Sequence, residues 1–174
     1  MKMRNQTKRM VTAALFMALT CTATIVVKIP SPTQGYVNLG DCVVLLSGWL
    51  LGPVYGGAAA GIGSAMADLL LGCPHYVPGT LIIKGSMAIL CALASKGSRT
   101  FLTRAISGLT AECVMIGGYF GYSGLLLGKG LAAAASVPGN LFQGAAGLAA
   151  GLALYEALER SRSIEHLRKA GMCA

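Results

Sequence analysis

Charge in this chain falls in clumps, and the stretches between the clumps carry almost none. That spacing restricts the fold more than any single motif. One basic clump is Lys2, Arg4, Lys8 and Arg9, a second is Lys96, Arg99 and Arg104, and a third is Arg160, Arg162, Arg168 and Lys169. The intervening stretches are long and apolar, and a helix needs roughly 20 such residues to cross a bilayer. Lys and Arg gathered between apolar spans follow the bias that keeps them on the cytoplasmic side of a membrane. The net charge of +8 therefore reads as membrane topology and not as a nucleic-acid footprint.

Composition agrees. Charged residues make up 11% of the chain and hydrophobic ones 55%, with a mean hydropathy of +0.66. A soluble domain carries roughly 25% charged residues. The 24 glycines follow no three-residue period, which excludes collagen, and with the many alanines they suit close helix packing in a bilayer. The six cysteines form no CxxC pair and read as small buried hydrophobes.

The chain reads as one integral membrane domain, 1–174, all-α, a six-transmembrane-helix bundle with both termini inside. The helices are expected at about 10–27, 39–52, 54–72, 79–95, 101–123 and 138–159. The first span, preceded by basic residues, is read as a retained helix because further spans follow and no clean cleavage site is evident. Two prolines make Lys28 to Gln34 a loop. Gly52-Pro53 separates the second span from the third, and Gly72 to Gly79 forms a turn-rich loop. Ser123 to Val137 is a connection able to hold some helix. This arrangement puts eleven Lys and Arg inside and Lys28 and Lys129 outside, with Lys84 in the membrane, accounting for all 14.

The topology brings polar residues to one depth. At about 1.5 Å per residue, Lys84 lies roughly 8 Å below the outer end of its helix and Glu112 roughly 16 Å below the outer end of its own. Asp41, Asp68, Asn140 and Gln143 lie near outer helix ends, and the inner half is nearly bare of such groups. Asn140, Gln143 and Gly147 share one helix face, as do Glu112, Met115 and Tyr119. A polar pocket open to the outside accounts for this. Plainer roles stand beside it: Asp41 as a helix cap, Lys84 and Glu112 as a structural ion pair, Asn140 and Gln143 as interhelix hydrogen-bond partners, and Tyr36, Tyr76, Tyr119 and Tyr122 as an interfacial belt. Asp68 is expected to be structural. His75 and His166 have no metal ligands at useful spacing. Gly61-Ile62-Gly63 follows no strand and is not a dinucleotide fingerprint. There is no phosphate-binding GxxxxGK[ST] loop, no HExxH and no Gly-x-Ser-x-Gly, so no catalytic residue, metal or cofactor is expected. A pocket without an engine suggests a binding subunit that borrows its energy.

The motifs carry a resemblance over nearly the whole chain. Ala14-xxx-Ala18, Gly35-Tyr36-Val37-Asn38-Leu39-Gly40-Asp41, Leu81-Ile82-Ile83-Lys84-Gly85 and Pro138-Gly139-Asn140-Leu141-Phe142-Gln143 resemble those of the S component, the substrate-binding subunit, of energy-coupling factor (ECF) vitamin transporters. The resemblance implies a non-enzymatic, multi-pass protein of the cell membrane that captures a water-soluble vitamin or precursor from outside, with the first loop covering the ligand. It implies ligand contacts at Tyr36, Asn38, Asp41, Lys84, Glu112, Tyr119, Asn140 and Gln143. Ala14 and Ala18 would face a transmembrane coupling protein joined to two ATPases, and the S component would topple in the bilayer to deliver its ligand. Members of the family take riboflavin, pantothenate, pyridoxine or hydroxymethylpyrimidine; Lys84, Glu112, Asn140 and Gln143 favour the pyridoxine or hydroxymethylpyrimidine type. A solitary channel or carrier predicts polar residues through the full membrane depth, an intramembrane enzyme predicts a nucleophile or metal set, and a structural membrane subunit predicts no pocket.

Overall fold

The computed structural model describes residues 2–30, 36–97 and 100–169, and it is an all-α bundle. The long helices are α1 (Lys2–Val26), α2 (Gly40–Leu70), α3 (Val77–Ala94), α4 (Phe101–Gly121) and α5 (Val137–Arg160), followed by a short α6 (Ser163–Lys169). Four stretches are long and apolar enough to cross a membrane: Gln6–Val26, Gly40–Leu70, Pro74–Ala94 and Gly130–Arg160. Two of the expected spans are fused in α2, which is continuous except at Gly52. There φ is 77° and ψ is −178°, a conformation essentially confined to glycine. Pro53 follows and starts the next helical arm, where its missing N–H costs nothing. The Gly-Pro pair thus turns one apolar run into two arms, residues 40–51 and 53–70, of about 18 and 27 Å.

The connections at the α2 entry and after α4 hold more structure than the sequence suggests. Lys28–Pro30 (β1) and Tyr36–Asn38 (β2) pair antiparallel, with Lys28 opposite Asn38 and Ile29 opposite Val37. The prolines that bar helix here leave extended backbone allowed. Residues 31–35, the rest of the loop expected to cover a ligand, lie outside the described residues. Beyond α4 the chain makes a π-turn over Tyr122–Leu126 and a 3-10 segment over Gly130–Ser136. Thr100 caps α4, its hydroxyl accepting from the Thr103 N–H at 3.2 Å.

The first arm of α2 is the centre of the bundle. Val44, Leu45 and Leu50 are fully or almost fully buried, and they pack with Met87, Ala88 and Cys91 of α3 and Ala111 and Met115 of α4. Close approach needs small residues: a Cβ on Gly61 would stand 2.7 Å from the Leu81 carbonyl oxygen. The outside of the bundle is apolar. Val54, Leu70, Leu125, Leu131 and Phe142 are all more than two-thirds exposed, while Asp41, Lys84, Glu112 and Gln143 are buried. Water would reverse that arrangement; a hydrocarbon surround favours it. The helices make this a multi-pass membrane protein.

Gly52→Ala should be destabilised by about 1–3 kcal/mol, the usual cost of a side chain in this backbone region. Thermal unfolding in detergent checks this, and an unchanged midpoint would show that the break does not depend on glycine.

Candidate functional site

Asp41 sits in the first turn of α2, where the amino end of a helix favours negative charge. It is not the cap: the cap position is Leu39, which makes no side-chain hydrogen bond to the helix. Asp41 turns inward instead. Its Oδ1 meets the Lys84 Nζ from α3, and its Oδ2 accepts from the Gln143 Nε2 of α5 at 2.8 Å. The Gln143 Oε1 then accepts from the Asn38 backbone N–H at 2.9 Å. Asn38 in turn receives the Gly40 N–H on its Oδ1 at 2.8 Å, which fixes the entry into α2. One chain of polar contacts therefore joins β2, α2, α3 and α5. Asp41 is 0% exposed, Lys84 2% and Gln143 2%, so the chain is shielded from solvent.

The alternative reading of Lys84 as the ion-pair partner of Glu112 does not match this geometry. Lys84 is taken by Asp41. Glu112, on α4, is 3% exposed, and neither of its carboxyl oxygens has a hydrogen-bond partner among the described residues. It nevertheless stands beside the network. A Cβ placed on Gly147 would lie 2.7 Å from the Asp41 Cβ and 3.4 Å from the Glu112 Oε1. Gly147 thus lets α5 approach both acids where any side chain would collide. Counting one ammonium against two carboxyls, the cluster is one proton or one ligand donor short of balance.

Tyr119 also comes to this place. Its hydroxyl lies 3.0 Å from the Thr80 hydroxyl, and the Lys84 Nζ lies 5.5 Å from its ring centre. Asn140 is 9% exposed, and its carboxamide makes no hydrogen bond among the described residues. Of the residues singled out from sequence, Asn38, Asp41, Lys84, Tyr119 and Gln143 are thus linked, and Glu112 borders them. The strand holds Tyr36 by its backbone, and its side chain lies outside the described residues. Ala14 and Ala18 are on the far side of α1, both exposed.

Sequence reasoning missed a neighbouring tyrosine cluster. Tyr76, placed in the interfacial belt as one reading, is 7% exposed, and its hydroxyl lies 3.2 Å from both the Ser123 hydroxyl and the Lys129 Nζ. Tyr122 donates to the His75 carbonyl at 2.8 Å. The signal available was a turn-rich loop holding His and Tyr opposite another holding Tyr, Ser and Lys. Their pairing is set by the π-turn, which no local pattern announced.

Comparison with known proteins places this geometry in context. The model of the family "ECF-type riboflavin transporter, S component" matches residues 4–160. A protein of Pyrococcus woesei, described as "Uncharacterized protein in gap 3'region", is 38% identical over 112 residues, which is 64% of this chain and 75% of that protein.

Lys84→Met should cost about 3–5 kcal/mol, because it strands a buried carboxylate. Adding Asp41→Asn should return most of that loss. Thermal unfolding of both variants checks the pairing; losses that simply add would show that the two groups do not depend on each other.

Proposed function

The chain belongs to the ECF-type riboflavin transporter S component family, and on that premise we propose that it captures a water-soluble vitamin at the outer face of the cell membrane and hands it to a partner-driven importer. The bundle is read with six crossings: α1, the two arms of α2, α3, α4 and α5, with both termini in the cytoplasm. The basic clumps support that orientation. Together with Asn140, the Asn38–Gln143–Asp41–Lys84 network and Glu112 form the ligand site, with Tyr36 and Tyr119 beside it.

The observation that carries this reading is the Glu112 carboxyl, which has no hydrogen-bond partner among the described residues and lies next to a buried polar network. A buried acid without a donor costs free energy that a ligand O–H or N–H removes. Asn140 offers a second buried polar group for the same purpose. Riboflavin, with a hydroxylated chain and a ring N–H, supplies such donors, and the family name favours it. Pyridoxine and hydroxymethylpyrimidine, favoured by the residue types, supply them too and are the ligands to compare. Flavin fluorescence of the purified protein should show saturable quenching with riboflavin. Glu112→Gln should weaken binding about tenfold, roughly 1.4 kcal/mol. Saturable binding of pyridoxine alone would reassign the ligand, and no binding of any vitamin would overturn the reading.

The outer face of α1 fits the second half of the function. Ala14 and Ala18 are exposed one turn apart, with Val11 66% and Leu15 58% exposed beside them. Small residues there allow a partner helix to approach closely and slide. That partner is the transmembrane coupling protein, joined to two ATPases that supply the energy for toppling and release. Ala14→Trp with Ala18→Trp should leave vitamin affinity within about threefold and abolish co-purification with the coupling protein. Intact complexes would contradict this docking face.

A further inference from the structure

At the opposite end of the bundle lies a cavity of about 350 Å³ that vitamin capture does not use. Its lining includes Trp49, Gly52, Pro53, Lys96, Arg104 and Arg168, and no acidic residue. Arg104 is 4% exposed and held on three sides: its guanidinium carbon lies 3.9 Å from the Tyr155 ring centre, and its Nη2 reaches Glu156 at 3.3 Å and Glu159 at 2.9 Å. Its Nε, however, is buried without a hydrogen-bond partner, and so is the Nε of Arg168. Neither Lys96 nor Arg168 has an ion-pair partner among the described residues. The break at Gly52 also brings the amino end of the second α2 arm to the cavity wall, where its partial positive charge adds to theirs. Buried donors left unpaired are costly, and the two arginine Nε–H groups await an acceptor.

We propose that this cavity binds a phosphate group, that of an anionic phospholipid headgroup. Four features favour a phosphate: the unpaired cations Lys96 and Arg168, the two guanidinium Nε–H groups left without a partner, the helix amino end and the absence of acid in the lining. The rim favours a lipid as its source. Leu93 borders the cavity and is 51% exposed, and Val54, Phe101 and Leu102 at the same end are 76%, 55% and 67% exposed. Acyl chains have an apolar surface there that free phosphate would leave unused. Basic cavities between spanning helices on the cytoplasmic side are suited to such headgroups.

Native mass spectrometry of the purified full chain, after addition of phosphatidylglycerol or phosphatidylcholine, tests this. The expected result is retention of phosphatidylglycerol and little of phosphatidylcholine. Lys96→Gln with Arg168→Gln should lower that retention about tenfold and leave vitamin binding unchanged, so that failure here is separable from failure of the vitamin reading. Arg160→Gln with Arg162→Gln, which removes the same charge outside the lining, should leave retention intact. Equal retention of the two lipids, or equal loss in both double variants, would overturn the site. Displacement of the lipid by millimolar inorganic phosphate would overturn the lipid assignment. Unchanged lipid retention with lost coupling-protein assembly in the Lys96 and Arg168 variant would give the cavity to an acidic protein segment and overturn the proposal.

Discussion

The buried contact between Asp41 and Lys84 is the interaction on which this end of the bundle depends. Each charge alone would be expensive at this depth in a membrane protein, and each makes the other tolerable. The pair also fixes geometry. Asp41 is on the first turn of α2 and Lys84 well inside α3, so their contact sets how far the two helices slide along each other. Gln143 extends the constraint to α5 and, through the Asn38 N–H, to β2. A single network thereby holds the elements that surround Glu112.

The two ends of the bundle solve the problem of buried charge in opposite ways. The end around Asp41 keeps a spare carboxyl at Glu112, and the opposite end keeps spare guanidinium N–H groups at Arg104 and Arg168. Both are buried donor or acceptor sites without a partner among the described residues. The apolar middle, Leu45, Leu46 and Leu50 with Met87, Cys91 and Ala111, separates them. That separation fits a protein whose two ends serve different purposes.

Much of this was legible in the sequence, for identifiable reasons. Clumped charge and long apolar runs indicate membrane helices because the bilayer sets their length. Gly52-Pro53 marks the break because only glycine accepts that backbone geometry and proline can only start a helix there. The depth of the polar residues follows from the helix rise alone. Their pairing does not, because it depends on which faces of different helices meet. Lys84 and Glu112 were one possible pair, yet Asp41 reaches Lys84 from the adjacent arm. The capping role weighed for Asp41 is not used, and the helix begins without a side-chain cap. The short β1–β2 ladder escaped notice because two prolines speak only against helix. The Tyr76, Ser123 and Lys129 contacts depend on a π-turn with no sequence signature.

The central claim is that the network around Asp41 and Lys84 holds a vitamin. Mass spectrometry of what the purified protein releases on denaturation tests it most directly. The account predicts a hydroxylated nitrogen heterocycle, riboflavin foremost, released in near-equimolar amount from the unaltered chain and absent from the folded Asp41→Asn, Lys84→Met double variant. An unaltered chain that releases nothing, or a double variant that releases as much, would contradict it.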